Sequence, residues 1–170
     1  SSSAASDVYK RQIHNAAILE KISNIENYDV KTWEKVLKVN LTSSFILSKY
    51  LIPLMSSSLN PRIIFTTSSV GKKGKAYWGA YSVSKAGINA LSQILSDELE
   101  TISSIKVFNF DPKATQTAMR SLAYPAEDPD SQKKPDSLIE YYLWMLSEDS
   151  SSSKNRYIAV SYTHLRALSL

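Results

Sequence analysis

At 170 residues the chain has the size of one domain with a workable core, and 43% hydrophobic with 21% charged residues is ordinary for a globular protein. No apolar run approaches the roughly 20 residues that span a bilayer, and the N-terminus lacks a secretory pattern, so the chain reads as cytoplasmic. The absence of Cys excludes disulfides and thiolate metal sites, the two His are far apart, and a net charge of +4 spread over 20 basic and 16 acidic residues argues against nucleic acid as the partner.

Both ends look foreign to a domain. Residues 1–12 carry no usable periodicity and residues 161–170 follow what reads as a last strand; both resemble translated vector sequence and are set aside as non-native tails, leaving 13–160 as the domain. Residues 13–19 read as the end of a strand running into a loop. Residues 30–55 then place Trp33, Val36, Leu37, Asn40, Leu41, Ser44, Ser48 and Leu51 at spacings of three and four, which predicts a helix with Thr32 as its N-cap. "RIIFTT" at 62–67 is a continuous apolar, β-branched run of the kind found in a parallel strand covered on both faces.

A loop bearing glycines follows at 68–79; its "GKKGK" is the densest basic patch and suits a loop beside an anionic cofactor or substrate. The next helix, about 81–101, has the stripe Tyr81, Ser84, Lys85, Ile88, Ser92, Leu95 and Leu99. "IKVFNF" at 105–110 reads as a second buried strand. The connection 111–137 contains four prolines and reads mostly as loop, 138–146 as helix, 148–154 as a surface loop and 156–160 as the closing strand. This alternation predicts right-handed βαβ units and a parallel sheet.

Two polar residues sit on apolar stripes. A buried ammonium without a partner is strongly unfavourable, which makes Lys85 a candidate for chemistry, with snorkelling to solvent as the competing explanation. Asn40 is either functional or a buried amide capping backbone. Tyr81 and Lys85, four apart, share a helix face. A nearby ammonium favours the phenolate and brings a phenol closer to the range useful for acid–base catalysis. A hydroxyl from "TTSS" at 66–69 then serves to hold a substrate oxygen against Tyr81.

In order, "HNAA" at 14–17, "KVNL" at 38–41, Ser68 thirteen residues before Tyr81, "YSVSK" at 81–85 and "DPKATQT" at 111–117 resemble the short-chain dehydrogenase/reductase family over about 13–160. The wording of 68–85 and 117–129 is similar to the YciK-like branch of bacterial oxidoreductases. The resemblance implies a three-layer α/β, Rossmann-like parallel sheet, here incomplete: the C-terminal half to two-thirds of such a domain. It implies an NAD(P)-dependent enzyme that interconverts an alcohol and a carbonyl on a small molecule, using NAD or NADP.

By the same resemblance Tyr81 is the general acid–base, Lys85 lowers its pKa and binds the nicotinamide ribose, and Ser68 polarises the substrate oxygen. Asn40 holds a water linking Lys85 to solvent. Asn15 and Ala16 line the adenosine side of the cofactor or stabilise the sheet, and Pro112, Thr115 and Thr117 border the nicotinamide and its carboxamide. The loop at 119–134, with Tyr124, is expected to act as a lid, and the helices at 32–55 and 81–101 to make a homo-oligomer interface. Three positions depart from the family pattern: Ala17 and Lys113 stand where Gly is usual, and Asp111 where Asn is common.

The family's glycine-rich phosphate loop has no match here. The chain's four Gly are Gly71, Gly74, Gly79 and Gly87, and the expectation is a fragment, inactive alone, without about three N-terminal strands. The competing expectation is a non-catalytic nucleotide-binding or dimerisation module.

Overall fold

The computed structural model describes residues 11–160. Four parallel strands, β1 (Arg11–His14), β2 (Arg62–Thr66), β3 (Lys106–Asp111) and β4 (Tyr157–Ala159), lie side by side in chain order. The register aligns Ile13 with Ile64, Ile63 with Val107 and Phe110 with Ile158. Thus β1 takes in Arg11 and Gln12, two residues before the expected domain start. The rest of the two tails, His164 included, lies outside the described residues.

Helices cover both faces, as the unbroken burial of β2 requires. On one face α1 (Val30–Leu37), α2 (Ser43–Met55), α3 (Ser69–Lys72) and α4 (Gly79–Glu100) follow one another, and Met55, Ile88, Leu95 and Leu99 meet Ile63, Phe65 and Val107. On the other, α6 (Ile139–Leu146) sets Met145 against Ile64, Phe108, Phe110 and Ile158. Successive strand residues point to opposite faces, so Ile63 and Phe65 serve the first core while Ile64 serves the second. No helix among the described residues is long and apolar enough to cross a membrane.

Local chemistry corrects several expectations. The long helix predicted at 30–55 is interrupted by a π-helical turn, Lys38–Thr42, with buried Asn40 inside it. Such turns add one residue to the helical ladder and shift which face a side chain takes. The N-cap is Asp29, three residues before the expected Thr32; its Oδ2 accepts the Thr32 N–H at 2.7 Å and the Thr32 hydroxyl at 2.9 Å. The glycine-bearing loop contains α3, and the proline-rich connection contains α5 (Ala118–Ala123).

The segment 148–154 is only partly surface. Its Ser150 is fully buried and donates to the carbonyls of Met145 and Ser147, closing the end of α6. Arg62, buried at the start of β2, also serves that end: it donates to the Ser147 carbonyl at 3.3 Å and to Ser151 Oγ at 2.7 Å.

Candidate active site

Because the strands are parallel, their carboxyl ends open on one edge of the sheet, where ligands of such sheets are bound. A cavity of about 360 Å³ lies there. Asn15 and Ala17 reach it after β1, Thr66 to Ser69 after β2, and Asp111 to Thr115 after β3, while α4 contributes Tyr81 and Lys85. Trp78, Met119, Arg120 and Tyr124 form its outer wall.

Tyr81 and Lys85 sit one turn apart on the inward stripe of α4, 9% and 3% exposed. Gly71 makes this possible: a β-carbon there would come within 2.7 Å of the Lys85 backbone, so only glycine lets α3 pack so tightly on α4. Lys85 does not snorkel. Its Nζ donates to the Thr66 carbonyl at 2.7 Å, at the end of β2.

Burial drives the Lys85 ammonium down to about 8. Tyr81 departs from expectation: the sequence reading has Lys85 lowering its pKa, but burial, followed by the charge of Asp111, pushes the phenol up to about 12. Lys85 Nζ lies 5.6 Å from the Tyr81 ring centroid and is engaged with Thr66. Desolvation, followed by the carboxylate, sets the direction.

Ser68 lies at the N-terminus of α3 with its hydroxyl unspent on capping, half-buried and in the cavity. Its neighbour Ser69 also lines the cavity but is exposed. Asn15, Pro112, Thr115 and Thr117 line it too, whereas Ala16 does not and Ala17 does. Thr117 uses its oxygen to cap α5, accepting the Arg120 N–H at 3.1 Å.

Asn40 is outside the cavity lining. Its Nδ2 donates to the Ile18 carbonyl at 2.9 Å and to Ser84 Oγ at 3.1 Å, and its Oδ1 accepts the Ile18 N–H at 2.8 Å. With both amide hydrogens used, the side chain braces the segment after β1 against α4. That is the backbone-capping alternative; among the described residues no side-chain hydrogen bond joins Asn40 to Lys85.

Two groupings escape the sequence reading. The first is an aromatic and cationic stack at the mouth. Trp78 lies 5.7 Å from Tyr81 and 5.9 Å from Tyr124, Lys75 Nζ donates to the Tyr124 hydroxyl at 2.8 Å, and Arg120 lies 3.8 Å over the Tyr124 ring while holding Glu127 in a bidentate pair. The second joins two departures from the family pattern. Lys113 Nζ pairs with Asp111 Oδ2 at 2.7 Å, and Lys113 takes a φ of 58°, the left-handed region that usually calls for glycine. The signal for this pair was in the sequence as two unusual residues, but nothing local says that they meet.

The profile of the short chain dehydrogenase family matches residues 11–128. The chain belongs to that family. Among relatives, this chain is 37% identical over 138 residues to the oxidoreductase YciK of Escherichia coli K12, covering 81% of this chain and 54% of YciK. A short chain dehydrogenase from Salmonella enterica serovar Typhi superposes with a TM-score of 0.84 at 35% identity, over 88% of this chain and 61% of that one. Another from E. coli CFT073, solved in complex with NADPH, gives a TM-score of 0.83 at 35% identity, over 88% and 62% of the two chains. The chain thus spans little more than half the length of the YciK relative.

The residues present fit one half of a dinucleotide. A buried ammonium one turn from a phenol, with the hydroxyls of Ser68 and Thr115 in the same cavity, matches a ribose diol and a carboxamide in donor and acceptor character. For the pyrophosphate, the family uses glycine-rich backbone at a helix N-terminus. All four glycines here lie between 71 and 87, around α3 and the start of α4.

Proposed function

We propose that this chain carries the catalytic half of an oxidoreductase that interconverts a small-molecule carbonyl and alcohol with NAD or NADP, Tyr81 being the proton donor and acceptor. The observation that carries this reading is Lys85, an ammonium 3% exposed, one helical turn from Tyr81 and in one cavity with Ser68. A buried ammonium held by a single carbonyl is costly for folding and is retained where it does chemistry. The NADPH complex of the similar E. coli protein supports the choice of cofactor.

The nicotinamide, when bound, supplies or accepts the hydride. Ser68 donates to the substrate oxygen and orients the carbonyl. In reduction the carbon gains the hydride, the carbonyl π pair moves to oxygen, and the Tyr81 O–H proton passes to that oxygen, leaving a phenolate that regains a proton from solvent. Lys85 donates to the ribose hydroxyls and stabilises the transient phenolate. Met119, Tyr124 and Trp78 line the mouth of the cavity.

The 170 residues by themselves hold NADPH only weakly, because the four glycines face Lys85, Ser82, Tyr28 and Leu41 and none belongs to a glycine-rich phosphate loop; micromolar or tighter binding by calorimetric titration overturns this. Exposed Phe45, Ile46, Leu47, Tyr50 and Leu54 on α2, with Val83 and Ile94 on α4, support homo-oligomerisation through these helices. The competing reading, a non-catalytic nucleotide-binding or dimerisation module, draws on Ala17 and Lys113. The two readings part in a full-length polypeptide that contains this sequence, assayed with NADH and NADPH against a carbonyl panel. Tyr81→Phe is expected to lower turnover by about 100-fold or more, and unchanged turnover selects the non-catalytic reading.

A further inference from the structure

On the α4 face of the sheet a second cavity, of about 340 Å³, lies between the second half of α4 and the neighbouring strands β3 and β4. It shares no lining residue with the active cavity. Its size is that of a small-molecule site.

Asn109 lines this cavity, 4% exposed and in register with Tyr157 on the next strand. Its amide is fixed from behind: Nδ2 donates at 2.8 Å to Asn89 Oδ1, which also accepts the Thr67 hydroxyl at 2.6 Å. Asn109 Oδ1 is left buried with no hydrogen-bond partner. Arg156, just before β4, lines the same cavity, and its Nη1 is buried and unpartnered too. Among the described residues no carboxylate forms an ion pair with this guanidinium, which lies 5.5 Å from the Phe108 ring centroid.

Two further side chains make an apolar wall. The Tyr157 ring is held by its hydroxyl, which donates to Asp111 at 3.1 Å, and by Lys72 Nζ, 3.3 Å from the ring centroid. Val107 is buried beside it on β3. Asp97, the carboxylate of the lining, is exposed, where solvent screens its charge.

A buried acceptor and a buried donor, both unpaired, are unfavourable, and native proteins seldom leave them so. Here the two line one cavity. A ligand that offers an anionic oxygen to Arg156 and an O–H to Asn109 satisfies both. The volume exceeds what a two-carbon hydroxy acid fills, and the wall of Tyr157 and Val107 suits a ring. We propose that this cavity is a second small-molecule site, whose ligand is a hydroxylated aromatic carboxylate. The carboxylate pairs with Arg156, the hydroxyl donates to Asn109 Oδ1, and the ring lies against Tyr157 and Val107. The site stands independently of the acid–base role of Tyr81.

The probes are 3- and 4-hydroxybenzoate, titrated into the 170-residue chain and into a full-length polypeptide that contains it. ¹H–¹⁵N spectra follow the side-chain amides of Asn109, Gln93 and Asn155, which all line the cavity. One isomer is expected to bind with a Kd of about 1 mM or tighter and to move these amides. Benzoate, which lacks the hydroxyl, and the matching hydroxybenzamide, which lacks the charge, are each expected to bind about tenfold more weakly. Arg156→Gln is expected to weaken the hydroxybenzoate about tenfold and leave the hydroxybenzamide unchanged, with Arg156→Lys recovering part of the loss. Tyr81→Phe, in the other cavity, is expected to leave the Kd unaltered. Because replacing buried Asn109 can unfold the chain, the comparison of benzoate with hydroxybenzoate on the parent tests the hydroxyl contact. No binding of either isomer at roughly 10 mM, equal affinity for benzoate and hydroxybenzoate, or spectral changes confined to the surroundings of Tyr81 overturns the proposal.

Discussion

The cavity wall contributed by α3 and α4 holds its residues by packing, whereas the wall from Asp111 to Glu127 holds them by charge. In the first, Gly71 lies against the Lys85 backbone, and Tyr81, Ser84 and Lys85 lie on a stripe continuous with Ile88, Leu95 and Leu99. In the second, the Asp111–Lys113 and Arg120–Glu127 pairs do the holding, with Arg120 and Glu127 about one quarter exposed. Packing of this kind resists salt and pH; exposed ion pairs are screened. The difference teaches that Tyr81 and Lys85 are held by close packing, while the opposite wall depends on ion pairs that salt and pH can weaken.

Four experiments break or sharpen this contrast. The largest effect is expected at Lys85. Its folded pKa, about 8, lies below the ordinary 10.5, so the unfolded chain binds the extra proton between these values. Burial of the charge therefore opposes folding fully below about pH 8, and stability rises as pH climbs from there towards the unfolded value. The change is on the order of 3 kcal/mol. Lys85→Met is expected to remove that rise while destroying turnover, as followed by denaturant melts at several pH values. Above about pH 10 the raised Tyr81 works in the opposite sense, because the unfolded phenol loses its proton first.

Next in size is Gly71→Ala. Its added carbon meets backbone, which cannot swing aside, so a loss of roughly 1–3 kcal/mol is expected, together with displaced Tyr81 and Lys85. An unchanged melting temperature contradicts the packed-wall description. Asn40→Ala comes third: it strands the Ile18 N–H and carbonyl, with an expected loss of about 1–2 kcal/mol. A variant that lost turnover at unaltered stability would instead return Asn40 to the proton relay expected from the sequence. The smallest effect belongs to Arg120→Ala, on the charged wall. Its melting temperature is expected to move by no more than about 2 °C, with a several-fold rise in KM that fades in about 1 M salt. A salt-independent loss of kcat would refute the description of this wall as one held by charge.

Much of the fold was legible because it rests on local periodicity. The β-branched run at 62–67 could only be a covered strand, and the stripe from Tyr81 to Leu99 is buried at every position read from the sequence. The π-helical turn was not legible, since a single extra residue leaves the spacing of Asn40 and Ser44 looking helical. Arg62 and Ser150 were missed for another reason: both satisfy the carbonyl end of α6, and for Arg62 that end lies more than 80 positions away.

The sequence by itself determined the alternation of strands and helices, the inward face of α4, and the presence of Ser68, Tyr81 and Lys85 at family spacing, because hydrophobic period and residue identity are properties of neighbouring positions. Only the tertiary structure decided what those groups do to one another. It turned Lys85 towards the Thr66 carbonyl, gave the amide of Asn40 to Ile18 and Ser84, paired Asp111 with Lys113 in the same cavity, and buried Tyr81, so that desolvation, followed by the Asp111 charge, raises the phenol where a lowering was expected. Hydrogen bonds and fields depend on separation in space and on burial, and neither is written in the spacing of residues along a chain.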